Sequence, residues 1–326
     1  MTDVQASRPS PVARGARLLR DRPVLALVVL LVLLVGLLEV MRPGIVNERW
    51  IGNTVKFAIP LAMLAACQTL TMLTGGIDLS AGTAATVSAF VVATQTPILG
   101  PGPAILVALG PAVLIGLANG AGVGFARVHP LIMTLATGLI ATGCLQVYQR
   151  FVIATGSVVP PVLEWLGTGR TWGLPNALLL FLPLAALLLW GQRRTGFGRL
   201  LYAVGANEGA ARLSGVRTWQ VHLALYALSG LLAGVTGLLY VGLIKAPSLS
   251  LAEPLLLPSV AAAVIGGTSI FGGRGGYGGT IVGALILTVL GTLLTLLQMP
   301  EGARRVLFGL IILLVTTLYL RVTDQG

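Results

Sequence analysis

Residues 24–40 read VLALVVLLVLLVGLLEV, an apolar run whose single charge, Glu39, stands near its far end. At 1.5 Å per residue, about 20 such residues cross the ~30 Å hydrocarbon core of a bilayer as a helix. Working outward, comparable runs recur at approximately 54–74, 79–95, 103–125, 131–153, 174–190, 219–243, 255–271, 278–297 and 304–321, which with 24–41 makes ten. Two are weaker: 79–95 is short and rich in small residues, and 255–271 holds Pro258 and ends in glycines. Of the 326 residues, 56% are hydrophobic and 10% charged, against about 25% charged in a soluble domain. The expected fold is an all-α integral membrane protein of about ten transmembrane helices with broken or re-entrant segments. One transmembrane domain, 23–326, is expected to follow a basic leader, 1–22.

The leader carries Arg8, Arg14, Arg17, Arg20 and Arg22. The apolar run after it is longer than a signal-peptide core and no small-residue cleavage site follows, so it reads as a first transmembrane helix. With the N-terminus in the cytoplasm, thirteen of the 21 Lys and Arg fall on the cytoplasmic side, concentrated in the leader and between Arg193 and Arg217. That bias sets orientation, and ten spans then place both termini in the cytoplasm. The net charge of +11 is therefore loop chemistry, and no nucleic-acid partner is expected. Cys67 and Cys144 both lie in apolar runs and read as buried thiols without disulfide or metal. The sequence has no HExxH, GxSxG or CxxC. No catalytic residue, cofactor site or metal site is expected.

One polar island interrupts the mid-chain: GFGRLLYAVGANEGAARLSG, residues 196–215, flanked by Arg193, Arg194 and Arg217. Asn at 207 and Gly at 215 are helix start and stop signals, so a short helix is expected over 207–213. A loop of this size, at about 192–218, reads either as an ordinary amphipathic loop or as a docking element.

Inside the membrane, Gly75-Gly76-Ile77-Asp78-Leu79-Ser80 breaks a helix beside an acid. Ionisable groups at this depth face a partner or a cavity. The immediate expectation is that Asp78 or Ser80 caps the next helix; the alternative is a wall or hinge of a translocation path. Gln68, Thr71 and Gly75 share one helix face, and Asn119 is a second intramembrane amide. Two glycine stripes, Gly116/Gly120/Gly124 and Gly230/Gly234/Gly237, favour close helix packing. The stretches TLTMLTGGIDLSAG and AAAVIGGTSIFGG resemble each other, each an apolar helix running into Gly-Gly, as in transporters built from repeats. The second contains Gly266 and Gly267 and continues to Gly276; it lacks GxxxxGK[ST], so it is not a Walker A cradle. His129 and His222 sit near span ends and read as interfacial. No row of carboxylates or histidines crosses the membrane, which speaks against a self-sufficient secondary transporter or channel.

GGIDLSAG, GFGRLLYAVGANEGAARLSGV and AAAVIGGTSIFGGRGGYGGTIVGALIL together resemble the signature regions of bacterial ribose-type ABC importer permeases, over about residues 45–320. The resemblance implies a membrane-spanning subunit that forms the path for a monosaccharide or similar small polyol. A branched-chain amino acid or other small-solute permease is the alternative within the same class. It implies a partner ABC ATPase subunit that binds the ATP, a periplasmic sugar-binding protein and a second permease copy, as homodimer or heterodimer. The ATPase-coupling positions it implies are Gly205, Asn207, Glu208, Ala211, Arg212 and Gly215. The candidate path or break positions are Gln68, Thr71, Gly75, Gly76, Asp78, Ser80, Asn119, Gly266 and Gly267.

Overall fold

The computed structural model describes residues 23–152 and 156–300, with 302–307, 309, 310 and 313 beyond them. The leader 1–22 and most of the expected span 304–321 lie outside the described residues. Among the described residues the elements are α1 (Pro23–Met41), α2 (Glu48–Leu73), α3 (Ala81–Leu99), α4 (Pro101–Gly124), α5 (Pro130–Val152) and α6 (Pro161–Thr168). They continue with β1 (Arg170–Thr171), β2 (Leu174–Pro175), α7 (Ala177–Arg194), α8 (Gly196–Ala206) and α9 (Glu208–Leu213), then α10 (Thr218–Ile244), α11 (Glu253–Ile265) and α12 (Tyr277–Leu296). Eight of these helices are long and apolar enough to cross a membrane. They coincide, within a few residues, with eight of the ten spans expected from hydropathy.

The run at 255–271, one of the two weaker spans, is a broken segment and not a full span. Its helix, α11, has 13 residues, about 20 Å at 1.5 Å per residue and short of a ~30 Å core. Gly266 and Gly267 end it, because Gly267 turns to a φ of +86°. Short elements that hydropathy does not reveal cap the other end of the bundle. They are α6 and a two-residue antiparallel ladder pairing Arg170 with Pro175 and Thr171 with Leu174.

The bundle is organised around α2. Every residue from Ala58 to Leu73 is buried, whereas only 6% of the apolar window of α1 is. In α2, Asn47 caps the start by accepting the Trp50 N–H at 3.0 Å. Lipid supplies no hydrophobic drive between helices, so packing and interhelical hydrogen bonds must hold them. The glycine stripes bring α4 and α10 together: a Cβ on Gly116 would overlap the Tyr226 carbonyl, and one on Gly230 the Ala112 carbonyl, while Gly237 abuts Ala85 of α3. Polar links add to this. Thr69 and Thr280 hydroxyls meet at 2.7 Å between α2 and α12, Tyr277 Oη donates to the Ala62 carbonyl at 3.0 Å, and Ser88 Oγ donates to Ala108 O at 2.7 Å. On α1, Glu39 reaches back to accept the N–H groups of Gly44 at 2.6 Å and Val46 at 3.0 Å, which fixes the turn after the helix.

Two expectations about single residues are corrected. Cys67 is buried, but Cys144 on α5 is exposed and lines an apolar cleft between α3, α4 and α5. His222 is buried at the start of α10 rather than interfacial, because α9 folds over it.

Candidate functional site: a buried polar hub and the loop that touches it

After Leu73 the chain closes α2 with Gly75, at a φ of +78°. Gly75 N–H donates to Met72 O at 2.9 Å and Gly76 N–H to Thr71 O at 3.0 Å. This is the paired closure of a helix that ends on a left-handed glycine. The end of α11 repeats it: Gly267 N–H reaches Val264 O at 2.9 Å and Thr268 N–H reaches Ala263 O at 3.0 Å. The similarity of the two sequence stretches is thus a similarity of helix ends. The loop that follows α11 touches the end of α2, since Gly273 N–H donates to Leu73 O at 3.0 Å.

The four residues after Gly76 are held by side chains from four helices. Gln68 of α2 folds back on the break, its Nε2 donating to Asp78 O at 2.8 Å and its Oε1 accepting the Asp78 N–H at 3.2 Å. Asp78 Oδ1 accepts both the N–H of Ser80, at 3.0 Å, and its hydroxyl, at 2.6 Å, so the carboxylate closes the start of α3. Asp78 Oδ2 accepts the Ser229 hydroxyl of α10 at 2.7 Å. Asn119 of α4 donates to Ser80 Oγ at 2.8 Å and accepts the Thr137 hydroxyl of α5 at 2.5 Å. Thr134 of α5 donates to Ile77 O and accepts the Leu79 N–H. Gln68, Asp78, Ser80, Asn119, Thr134 and Ser229 are each at most 1% exposed. A buried carboxylate is costly unless its lone pairs are met, and three donors meet this one. The network joins α2 to α5 and α10, and Ser229 lies eleven residues into α10, about 16 Å from its start.

The expected positions therefore divide. Gln68, Asp78, Ser80 and Asn119 come together in this hub. Gly76 lies beside it, where a Cβ would stand 2.6 Å from Tyr226 Oη. Thr71 does not join: its hydroxyl bonds back to Cys67 O at 3.0 Å and Gln68 O at 3.2 Å on its own helix. Gly266 packs instead against Gly279 and Thr280 at the start of α12. Ser229, Thr134 and Thr137 are the hub members that the sequence did not single out. The i, i+3 spacing of Thr134 and Thr137 and the place of Ser229 beside Gly230 were the available signals.

The mid-chain loop folds into α8 and α9. Thr195 caps α8 by accepting the Gly198 N–H at 3.1 Å. Asn207 caps α9 by accepting the Ala210 N–H at 2.9 Å, and Gly215, at a φ of +88°, ends it. Ala211 packs inward while Glu208, Arg212 and Leu213 face out, Leu213 being 92% exposed. Glu208 bonds Arg212 at 2.7 Å one turn on. Partial burial raises the Glu208 pKa, but hydrogen bonds from Arg212 and Thr218 and the charges of His222 and Arg212 outweigh it, leaving the carboxyl below its ordinary value of 4.5. The inner end of the loop meets the helix break. A Cβ on Gly205 would overlap Leu73 O and stand 2.6 Å from Gly273 N, and Tyr202 Oη donates to Gly275 O at 2.9 Å. Leu73, where α8 presses, is five residues before Asp78.

Comparison with known proteins places this architecture. Residues 50–316 match the family described as "Branched-chain amino acid transport system / permease component". The ribose import permease protein RbsC of Bacillus subtilis is 34% identical over 88% of this chain and 90% of its own length. RbsC of Escherichia coli K12 is 32% identical over 92% and 93%. The galactofuranose transporter permease protein YtfT of Escherichia coli is 33% identical over 79% and 76%. No solved structure matches significantly. With eight apolar helices, a family match across most of its length and relatives that are themselves permeases, the chain belongs to this family of transport-system permeases and is a multi-pass, membrane-spanning permease component.

Proposed function

We propose that the chain forms the membrane path of an ATP-driven importer for a monosaccharide or a similar small polyol, in a bacterial inner membrane with both termini in the cytoplasm. The observation that carries the substrate class is the names of its relatives. The broad family is described for branched-chain amino acids, but full-length relatives are named for ribose, galactofuranose and, at 28% identity over 88% of this chain, fructose in Bifidobacterium longum. In this proposal two permease copies enclose the path, a periplasmic binding protein delivers the sugar at the α6 and hairpin end, and a separate ATPase subunit binds ATP and seats on α9.

In this proposal the loop also carries the coupling. A load on the outward face of α9 is transmitted through α8, where Gly205 touches Leu73 without an intervening side chain. Displacing Leu73 moves the Gly75–Ser80 break, and the hub carries that movement to α3, α4, α5 and α10 together. Packed interiors respond to such a push by switching between arrangements rather than deforming smoothly. The deciding experiment is affinity purification of the tagged chain from gently solubilised native membranes. An ATPase subunit should co-purify with wild type and be lost with Glu208→Lys, alongside loss of ATP-dependent sugar uptake. Uptake that survives ATP depletion and follows the proton or sodium gradient would defeat the proposal.

A further inference from the structure

Helix α12 begins at Tyr277 in an unusual setting. Its cap residue is Gly276, which has no side chain to accept the first N–H groups. Gln192, from the last turn of α7, accepts the Tyr277 N–H through Oε1 at 3.0 Å. The N–H groups of Gly278 and Gly279 have no partner among the described residues. Beside them is a cavity of about 280 Å³, lined by Gln192, Arg193, Tyr202, Gly276, Gly278 and Gly279. No carboxylate lines it.

Three features of this cavity favour an anion. The first is the 20-residue helix whose N-terminus opens into it, with the partial positive charge that such an end carries. The second is Arg193: its guanidinium reaches within 3.9 Å of where a Gly278 Cβ would stand. Arg193 has no acidic partner among the described residues. The third is independent of both. Gln192 is 6% exposed, its Oε1 is committed to Tyr277, and its Nε2 is buried with no partner. An unpaired buried amide donor is costly, and an oxyanion in the cavity gives it an acceptor. Gly276 and Gly278 admit the ligand close to the backbone, whereas Gly279 is packed against Gly266. Without a Walker lysine the site has none of the machinery for nucleotide hydrolysis; it can hold a single phosphate group.

We infer that the α7–α12 cavity binds a phosphate group, held by Arg193, Gln192 and the free N–H groups of Gly278 and Gly279. Two sources share that chemistry: free phosphate and the head group of an anionic phospholipid. Val24 of α1 and Leu189 of α7 line the same cavity, which gives a lipid's chains an apolar exit. An occupant would clamp α7 to α12 directly beneath the loop formed by α8 and α9.

The test uses the full chain, purified in detergent and delipidated. One arm adds phosphatidylglycerol, with diacylglycerol as the phosphate-free control, and counts adducts by native mass spectrometry. The other arm titrates inorganic phosphate calorimetrically. The variants are Arg193→Gln, on an exposed side chain, and Gln192→Glu, which keeps the acceptor for Tyr277 but turns the donor into a charge that repels anions. Binding in either arm that weakens about tenfold or more in both variants, as loss of a charge-assisted contact should produce, supports the site, and the arm that responds names the source. Binding to neither probe, equal binding of diacylglycerol, or equal affinity in wild type and both variants would overturn it.

Discussion

Asp78 is the residue on which most of the polar chemistry inside the membrane converges, yet nothing on its surroundings resembles a proton relay. Both its oxygens are engaged: two donors from Ser80 meet one and Ser229 meets the other. Asp78→Asn keeps the shape but replaces an acceptor with an NH₂ group. The Ser229 or Ser80 hydroxyl then loses its acceptor, a loss of about 1–3 kcal/mol at a buried site. The melting temperature of the purified protein should fall and uptake should fall with it; an unchanged melting curve would show that the hub is not strained by the change. Gly205 is the complementary case. Gly205→Val forces a side chain into Leu73 O, and overpacking of this kind costs about 1–3 kcal/mol. The expected result is a chain that still reaches the membrane but no longer links ATP hydrolysis to uptake, read as hydrolysis unresponsive to the loaded binding protein. At this scale the sequence was partly legible. Gln68, Asp78 and Asn119 stand out because amides and acids are rare in apolar runs. Ser229, Thr134 and Thr137 do not, because a hydroxyl in a membrane helix commonly bonds its own preceding turn, as Thr71 does here.

At the scale of elements, α9 is only six residues long and owes its shape to its ends. Asn207→Ala removes the cap and should cost about 1 kcal/mol. Hydrogen exchange at residues 208–215 should quicken, and less ATPase subunit should co-purify. The same segment is expected to respond to acid. Glu208 has a folded pKa below its ordinary 4.5. Its ion pair with Arg212 therefore contributes fully above that ordinary value and is lost as pH falls through the lowered folded one. Exchange in α9, corrected for intrinsic rates, should be flat between pH 7 and 8 and rise as pH falls below about 4.5; exchange that stays flat through that acid range would contradict the role given to Glu208. The short helix over 207–213 could be read from its Asn and Gly signals because caps are local chemistry. The length of α11 was legible in part: hydropathy runs on to 271, but Gly266-Gly267 marks the break, and Gly267's positive φ ends the helix after Ile265. Helix α6 and the hairpin escaped, being too short to carry a periodicity.

For the whole molecule, the eight described spans place α8 and α9 at one end and the β hairpin at the other. In a Cys144→Ser background, which removes the exposed native thiol, Leu213→Cys and Trp172→Cys put probes on side chains that are 92% and 97% exposed. A membrane-impermeant maleimide applied to spheroplasts should label position 172 and leave 213 untouched until the membrane is opened; labelling of both, or the reverse order, would contradict the orientation proposed. The proposed orientation rests on arginine placement, which acts on loops and says nothing of helix neighbours. That the glycine stripes bring α4 and α10 together is a fact about where two distant runs meet, which neither run carries alone. The central place of α2 has a further consequence for how the chain is made. Among the described helices the second in chain order is the one that ends up enclosed, and its wall includes α10, α11 and α12, which are synthesised later. Until they arrive, Gln68 has only the break beside it, and Asp78 waits for Ser229, 151 residues further on. The nascent protein must therefore shelter a polar, half-assembled interior at the insertion machinery for most of its synthesis. A chain truncated before α10 should be recognised and degraded as unfinished rather than persist as a partial bundle.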